Sequence, residues 1–224
     1  MLPPTLLNLV LLVLLLPTTA LQLRAISKPL QTAGQHLSSS GISLVELTRK
    51  LDLYGSNLSQ AGADMRNAGD SISQAGVSAL NKFAGESIYG DFIFTSESLR
   101  SAASRLEQEA KRDQGGKEEA LRIPSAAVVA LRASSDAFEG VGRLVVESLQ
   151  AKTTPPMLAV RFDEAGRAMG EVGEALAGIE VAAAAAAEWG TVAQGFSLSG
   201  GKLKDAAHIL SGKEPAPKSG SWLK

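Results

Sequence analysis

Few side chains in this 224-residue chain have a type and spacing suited to chemistry. There are two histidines, His36 and His208, and no cysteines, so a His/Cys zinc site and a cysteine nucleophile are excluded or nearly so. Carboxylates are numerous, but those in the charged stretches are expected to be solvated: Glu107, Glu109, Glu118 and Glu119. We therefore predict no catalytic residues, no metal site and no cofactor.

One incomplete and one complete motif with known chemistry occur in the sequence. The stretch from Gly195 to Lys202 is superficially similar to a phosphate-binding loop, but the expected lysine position holds Gly201 and no Ser or Thr follows for magnesium. Asn57-Leu58-Ser59 is a glycosylation sequon. We expect it to be unused, because a glycan beside Leu58 would obstruct the helix packing described below.

Composition predicts an all-α fold. Aromatic residues make up only 4% of the chain, and β-branched and aromatic residues are scattered rather than alternating. The net charge of -1 provides no long-range attraction for nucleic acid. Helices that are rich in Ala, Gly, Ser and Leu must bury area through close approach of their backbones.

The first twenty residues predict a signal peptide. They carry no charged side chain, and an apolar run from Leu6 to Leu16 is followed by Pro17 and by small residues up to Ala20. Eleven helical residues rise only about 16 Å, which is short of the roughly 30 Å hydrocarbon core of a membrane. A cleaved export signal is therefore favoured over a membrane anchor.

The next segment, residues 21–42, has two interpretations. It is rich in Ser, Thr and Gln, carries Arg24 and Lys28, and no acidic residue occurs before Glu46. A signal peptide followed by such a segment resembles the bipartite presequence of proteins sent to plastids of algae with secondary plastids, although Leu21 stands where those presequences often have Phe. The resemblance implies a plastid or thylakoid setting with a photosynthetic complex as partner. The alternative is ordinary secretion, with residues 21–42 as a polar N-terminal helix.

The stretch NLSQAGADMRNAGDSISQAG, residues 57–76, repeats a large apolar residue every seven positions, followed three and four places later by small ones. Such a heptad predicts a left-handed seam against another helix. Glycine inside a helix costs up to about 1 kcal/mol relative to alanine, so close backbone approach must offset it. The pattern returns after residue 160, and one arrangement that it allows is that the two stripes pack against each other; the sequence alone does not identify the partner helix. The predicted seam consists of Leu58, Ala61, Gly62, Met65, Ala68, Gly69, Ile72, Ala75 and Gly76, with Phe162, Ala165, Gly166, Met169 and Gly173.

Other signals place the remaining helices. A capping box at Ser43 to Glu46 predicts the start of the first long helix, whose heptad continues to Lys82. Further helices are expected from about Glu97 to Arg112, after Ile123-Pro124 and after Pro155-Pro156. A short helix from Lys202 to Leu210 precedes a stop at Gly212.

Aromatic residues concentrate in FAGESIYGDFIF, residues 83–94. This segment is expected either to be a turn whose rings fill the end of the bundle or to be a contact patch for a lipid, a pigment or a partner protein. The candidate contact residues are Phe83, Tyr89, Phe92 and Phe94, together with Trp222 in the C-terminal tail.

These patterns together predict an elongated bundle of about four long helices over residues 43–212, plus short helices and a disordered tail, residues 213–224. We expect an exported, non-enzymatic structural or assembly subunit that binds a protein partner or a membrane complex. The alternative is an amphipathic lipid-surface protein or a carrier of a small hydrophobic ligand or pigment. The seams could pack within one chain or between chains of a homo-oligomer.

Overall fold

The computed structural model describes residues 23–53, 55–80, 85–112, 123–151, 154–179 and 185–212. All regular secondary structure in these ranges is helical, which confirms the all-α prediction. The expected signal peptide and the C-terminal tail lie outside the described residues, and so do Phe83, Glu118, Glu119 and Trp222.

Six helices of 22 to 28 residues occupy the described ranges, where the sequence analysis expected about four long helices and shorter ones. They are α1 (Ser27–Lys50), α2 (Asn57–Ser78), α3 (Gly85–Arg112), α4 (Ser125–Ala151), α5 (Pro156–Ala177) and α6 (Ala186–Leu210). The starts of α4 and α5 agree with the proline signals.

The first long helix does not begin at Ser43, so the capping-box prediction is wrong. Ser43 lies inside α1, and the chain then turns between Lys50 and Asn57. Asp52 and Gly55 adopt positive φ angles of 54° and 79° in this turn, which ends the helix despite the continuing heptad spacing. The side chain of Ser56 caps α2 by accepting a 3.2 Å hydrogen bond from the backbone N–H of Ser59.

Two other boundaries also differ from the expectation. α3 begins at Gly85 rather than near Glu97, so most of the aromatic segment is helical and is not a turn. α6 begins at Ala186 rather than at Lys202, and it ends before Gly212, which has a φ of 68° as expected of a helix stop.

The helices form a closed antiparallel ring. Each helix packs against its neighbours in the chain, and α6 returns to pack against α1. The large side chain of each heptad faces the centre of the ring. Residues three and four places later lie about 60° and 40° to either side of it, at the borders with the two neighbouring helices.

Phenylalanines from four helices fill the centre: Phe92, Phe138, Phe162 and Phe196 are at most 1% exposed. Phe92 stacks on Phe138 with ring centroids 5.9 Å apart and meets Phe162 edge-on at 5.7 Å. Leucine, isoleucine and methionine side chains of the other helices complete the core. Few aromatics are present, but most of the phenylalanines stabilise this one cluster.

Candidate interaction surfaces and helix seams

The seam between α1 and α2 brings two backbones into direct contact. A Cβ atom built on Gly69 would lie 2.6 Å from the carbonyl oxygen of Gly34, and one on Gly41 would lie 2.5 Å from that of Gly62. At one end of this seam the hydroxyl of Ser27 donates a 2.6 Å hydrogen bond to the carbonyl oxygen of Gly76. No residue larger than glycine fits at these positions without moving a helix.

A second glycine seam joins α5 to α6. A Cβ on Gly166 would lie 2.7 Å from the carbonyl oxygen of Gly200, and one on Gly173 would lie 2.7 Å from that of Ala193. The large members of the stripe, Phe162 and Met169, are fully buried beside it.

The two predicted stripes therefore do not pack against each other, which was one of the arrangements that the sequence allowed. The stripe on α2 packs against α1, and the stripe on α5 packs against α6. All fourteen predicted seam residues are buried. The partner stripe on α1 consists of Ser27, Gly34 and Gly41, spaced seven residues apart. This α1 stripe was not predicted, because the composition of residues 21–42 suggested a presequence. The spacing that indicates a seam was nevertheless present, since Leu30-Ala33-Gly34 repeats the spacing of Leu58-Ala61-Gly62.

The seam between α3 and α4 uses serine rather than glycine. The hydroxyls of Ser96 and Ser135 lie 3.0 Å apart, and that of Ser135 donates a 2.8 Å hydrogen bond to the carbonyl oxygen of Ser96. Both residues are at most 1% exposed, so the hydrogen bonds replace the water that these hydroxyls lose on folding.

Contacts between α6 and α1 close the ring. The hydroxyl of Ser40 donates a 3.2 Å hydrogen bond to the carbonyl oxygen of Val192, and Lys50 forms a 2.5 Å ion pair with Glu188. A Cβ on Gly195 would lie 2.8 Å from the carbonyl oxygen of His36. Burial lowers the pKa of the His36 imidazole, and the positive charge of Lys202 lowers it further.

The glycine-rich stretch from Gly195 to Lys202 lies entirely inside α6. It therefore forms no loop that could surround a phosphate, in agreement with the sequence analysis. Asn57 is the first residue of α2 and is half-buried. The use of its sequon stays a prediction.

The carboxylates have two kinds of environment. Glu107 lies on the surface, where hydrogen bonds from Lys111 and then Arg132 hold its pKa below the ordinary value of 4.5. Glu139 is similar, since a hydrogen bond from Arg100 is the largest effect that lowers its pKa. Glu109, in contrast, is only 7% exposed, so the expectation that it is solvated is wrong.

The candidate aromatic contact residues separate into buried and exposed ones. Phe92 is a core residue, whereas Tyr89 and Phe94 are 39% and 49% exposed. Val77 and Leu80 at the end of α2 are 42% and 50% exposed. We call these four exposed residues the α2–α3 corner, because they belong to the end of α2, the following connection or the first three turns of α3. Tyr89 and Phe94 are five places apart on α3 and point about 140° away from each other.

Open grooves lie between some adjacent helices in the described part of the chain. One, of about 540 Å³, lies between the end of α5 and the start of α6 and is lined by Ala177, Ile179, Trp189 and Ala193 among others. The indole nitrogen of Trp189 donates a 2.8 Å hydrogen bond to the carbonyl oxygen of Leu176, which fixes the ring. A smaller groove of about 220 Å³ lies between α3 and α4 beside Tyr89.

The described part of the chain contains no group of three or more His, Asp or Glu side chains able to hold a metal ion. None of its helices is long and apolar enough to cross a membrane. Fold and surface thus define a ring of three helical hairpins with several large apolar side chains exposed. Comparison of the chain with known protein families, curated proteins and solved structures finds no match.

Proposed function

We propose that this protein is an exported, non-enzymatic structural or assembly subunit that binds a membrane-associated protein complex. The observation that carries the proposal is the exposure of four large apolar side chains at the α2–α3 corner. Phe94 is half-exposed in a chain whose other described phenylalanines are fully buried. Large apolar side chains that stay exposed on a folded protein are a feature of protein contact sites.

The close contacts between helices in the seams indicate that the bundle is rigid. Where glycine and serine backbones touch, the helices cannot slide or separate without losing several close contacts at once. Amphipathic helices that open onto a lipid surface have no need of such close pairing between helices. The geometry therefore favours a fixed surface that recognises a protein over a bundle that unfolds onto lipid.

Polar side chains are used to join helices. Arg105 donates a 2.6 Å hydrogen bond to Asp64 of α2, and Arg100 forms ion pairs with Asp136 and Glu139 of α4. These side chains hold neighbouring helices together, which suits a scaffold better than a reaction centre. The partner complex lies in the plastid, where a photosynthetic complex is the natural candidate, or outside the cell.

Affinity capture of the tagged full chain from native membranes tests this proposal. Phe94→Ser should lose the protein that the native chain retains. Val129→Ser is the matched control, since Val129 is 64% exposed but lies on α4. Equal capture of the same protein by both variants would contradict a role for the α2–α3 corner.

A second candidate function is transport of a small hydrophobic ligand. The observation that favours it is the groove of about 540 Å³ beside Trp189, a volume within the range of ligand sites. Near Tyr89 and Phe92, where the sequence suggested a ligand or pigment, the ring of Phe92 is stacked on Phe138, and the groove beside Tyr89 is smaller, at about 220 Å³. Extraction of the native protein with organic solvent, followed by mass spectrometry, would reveal a bound lipid or pigment. Strong binding of the pure protein to protein-free liposomes would instead favour the lipid-surface alternative.

A further inference from the structure

Residues 23–42 are part of the folded ring. Leu23, Ile26, Leu30, Ala33 and Leu37 are each at most 4% exposed, like the core residues of the later helices. A targeting sequence that is removed by cleavage would have no reason to bury every third or fourth side chain in the core of the mature protein.

The same segment supplies most of the contacts that α1 makes with both of its neighbours. Toward α2, Ser27 bonds to Gly76, and Gly34 meets Gly69. Toward α6, Ser40 bonds to the carbonyl oxygen of Val192. These contacts define two of the six borders of the ring.

Removal of residues up to 42 would leave only the last two turns of α1. The backbone of α2 around Gly69 and Gly76 would then face water, and so would the backbone of α6 around Gly195. The ring would lack most of α1, and its apolar centre would be exposed to solvent. Cleavage near residues 40–45 is therefore incompatible with this fold.

We infer that the chain is cut once, between Ala20 and Leu21, and that α1 stays in the mature protein. The inference rests on the export step of the proposed function and deepens it. The small residues Thr18 and Ala20 stand where a signal peptidase requires them, three places and one place before the cut. Water adds across the peptide bond, so that Ala20 gains a carboxylate and Leu21 an amino group.

This single cut favours secretion over the bipartite plastid route. The composition of residues 21–42 has another explanation, because Arg24 before α1 and Lys28, Gln35 and Ser39 on the outward face of α1 are exposed. These side chains solvate a helix whose other face is buried. The resemblance to a transit peptide then follows from an exposed face of basic and uncharged polar residues and from a seam of serine and glycine.

N-terminal sequencing and intact-mass measurement of the native protein test the inference. An N-terminus at Leu21 supports it. An N-terminus between residues 40 and 45 would overturn the inference while leaving export intact. An uncut chain that begins at Met1 would overturn both the cut and the export step, so the two failures are distinguishable.

A matched pair of full-chain variants tests the position of the cut in a secretory expression host. Ala20→Phe should abolish cleavage, whereas Thr19→Phe places the same bulky side chain one residue earlier and should be cut after Ala20. Cleavage of Ala20→Phe after residue 20, or of either variant near residue 40, would refute the single cut.

Discussion

Replacement of Gly69 by alanine tests whether the α1–α2 seam is as tight as its geometry indicates. The added Cβ would lie 2.6 Å from the carbonyl oxygen of Gly34, whereas ordinary van der Waals contact begins at 3.4 Å. The helices must therefore separate locally by at least 0.8 Å, the difference between these distances, because the backbone nitrogen of Ser38 lies closer still to the added Cβ. Because the obstacle is backbone, no side-chain rotation relieves it.

The expected magnitude follows from two opposing terms. Alanine is favoured over glycine inside a helix by up to about 1 kcal/mol. Overpacking a well-packed interior costs about 1–3 kcal/mol. Gly201→Ala is the matched control, because Gly201 lies inside α6 and a Cβ there meets nothing within 4 Å. We expect Gly69→Ala to be about 1–3 kcal/mol less stable than Gly201→Ala.

Urea denaturation followed by circular dichroism measures this difference. The denaturation midpoint of Gly201→Ala should rise slightly above that of the native chain, and that of Gly69→Ala should lie clearly below that of Gly201→Ala, with similar slopes. In thermal unfolding, each 1 kcal/mol corresponds to a shift of about 2–4 °C for a chain of this size. Equal stability of the two variants would show that the seam is loose and that its glycines need another explanation.

Three further predictions concern the core, the serine seam and the response to acid. Phe92→Ala should lower the free energy of unfolding by about 3–5 kcal/mol, whereas Phe94→Ala should change it by less than about 1 kcal/mol, as measured by urea denaturation; similar losses would mean that the two rings are not separated into core and surface. Ser135→Ala should cost about 1–3 kcal/mol because it leaves the buried Ser96 hydroxyl without its partner, and adding Ser96→Ala should cost little more; full additivity in the double-mutant cycle would contradict the pairing. The folded chain holds the pKa of His36 below its ordinary value of 6.5, so the unfolded chain binds more protons, and stability should fall as the pH drops from 6.5 through the lower folded pKa. His36→Gln should flatten that part of the pH profile, and an unchanged slope would show that the imidazole is not responsible.

Local patterns in the sequence were sufficient for the fold class and for the buried faces of α2 and α5. The spacing of Leu58, Met65 and Ile72 dictates which side of a helix is apolar, whatever the partner. The choice of partner depends on tertiary contacts between segments far apart in the chain. Gly69 meets Gly34 and Gly166 meets Gly200, and neither pairing follows from one stripe alone.

Errors arose where two local signals competed. The capping box at Ser43 is a good local start, but the buried pattern that begins at Ile26 continues through it and keeps the chain helical. The spacing of Leu44, Leu51 and Leu58 suggested one helix, yet the positive φ of Gly55 turns the chain between them. Tertiary packing overrides a local signal in the first case, and a local turn overrides the heptad spacing in the second.

The candidate contact residues were predictable only as a group. Phe92 and Phe94 are two places apart, so on a helix they point about 160° away from each other and cannot share one face. The interpretation of residues 83–94 as a turn did not distinguish the directions of these two side chains. Once α3 is known to begin at Gly85, the period assigns Phe92 to the core and leaves Phe94 on the surface.

Photo-cross-linking from position 94 in native membranes tests the central claim most directly. A photoreactive phenylalanine analogue at Phe94 should form a covalent adduct with one membrane-associated protein, identified by mass spectrometry, while the same analogue at Val129 should not. Adducts with lipid alone from position 94, or the same protein adduct from both positions, would contradict recognition of a protein complex through the α2–α3 corner.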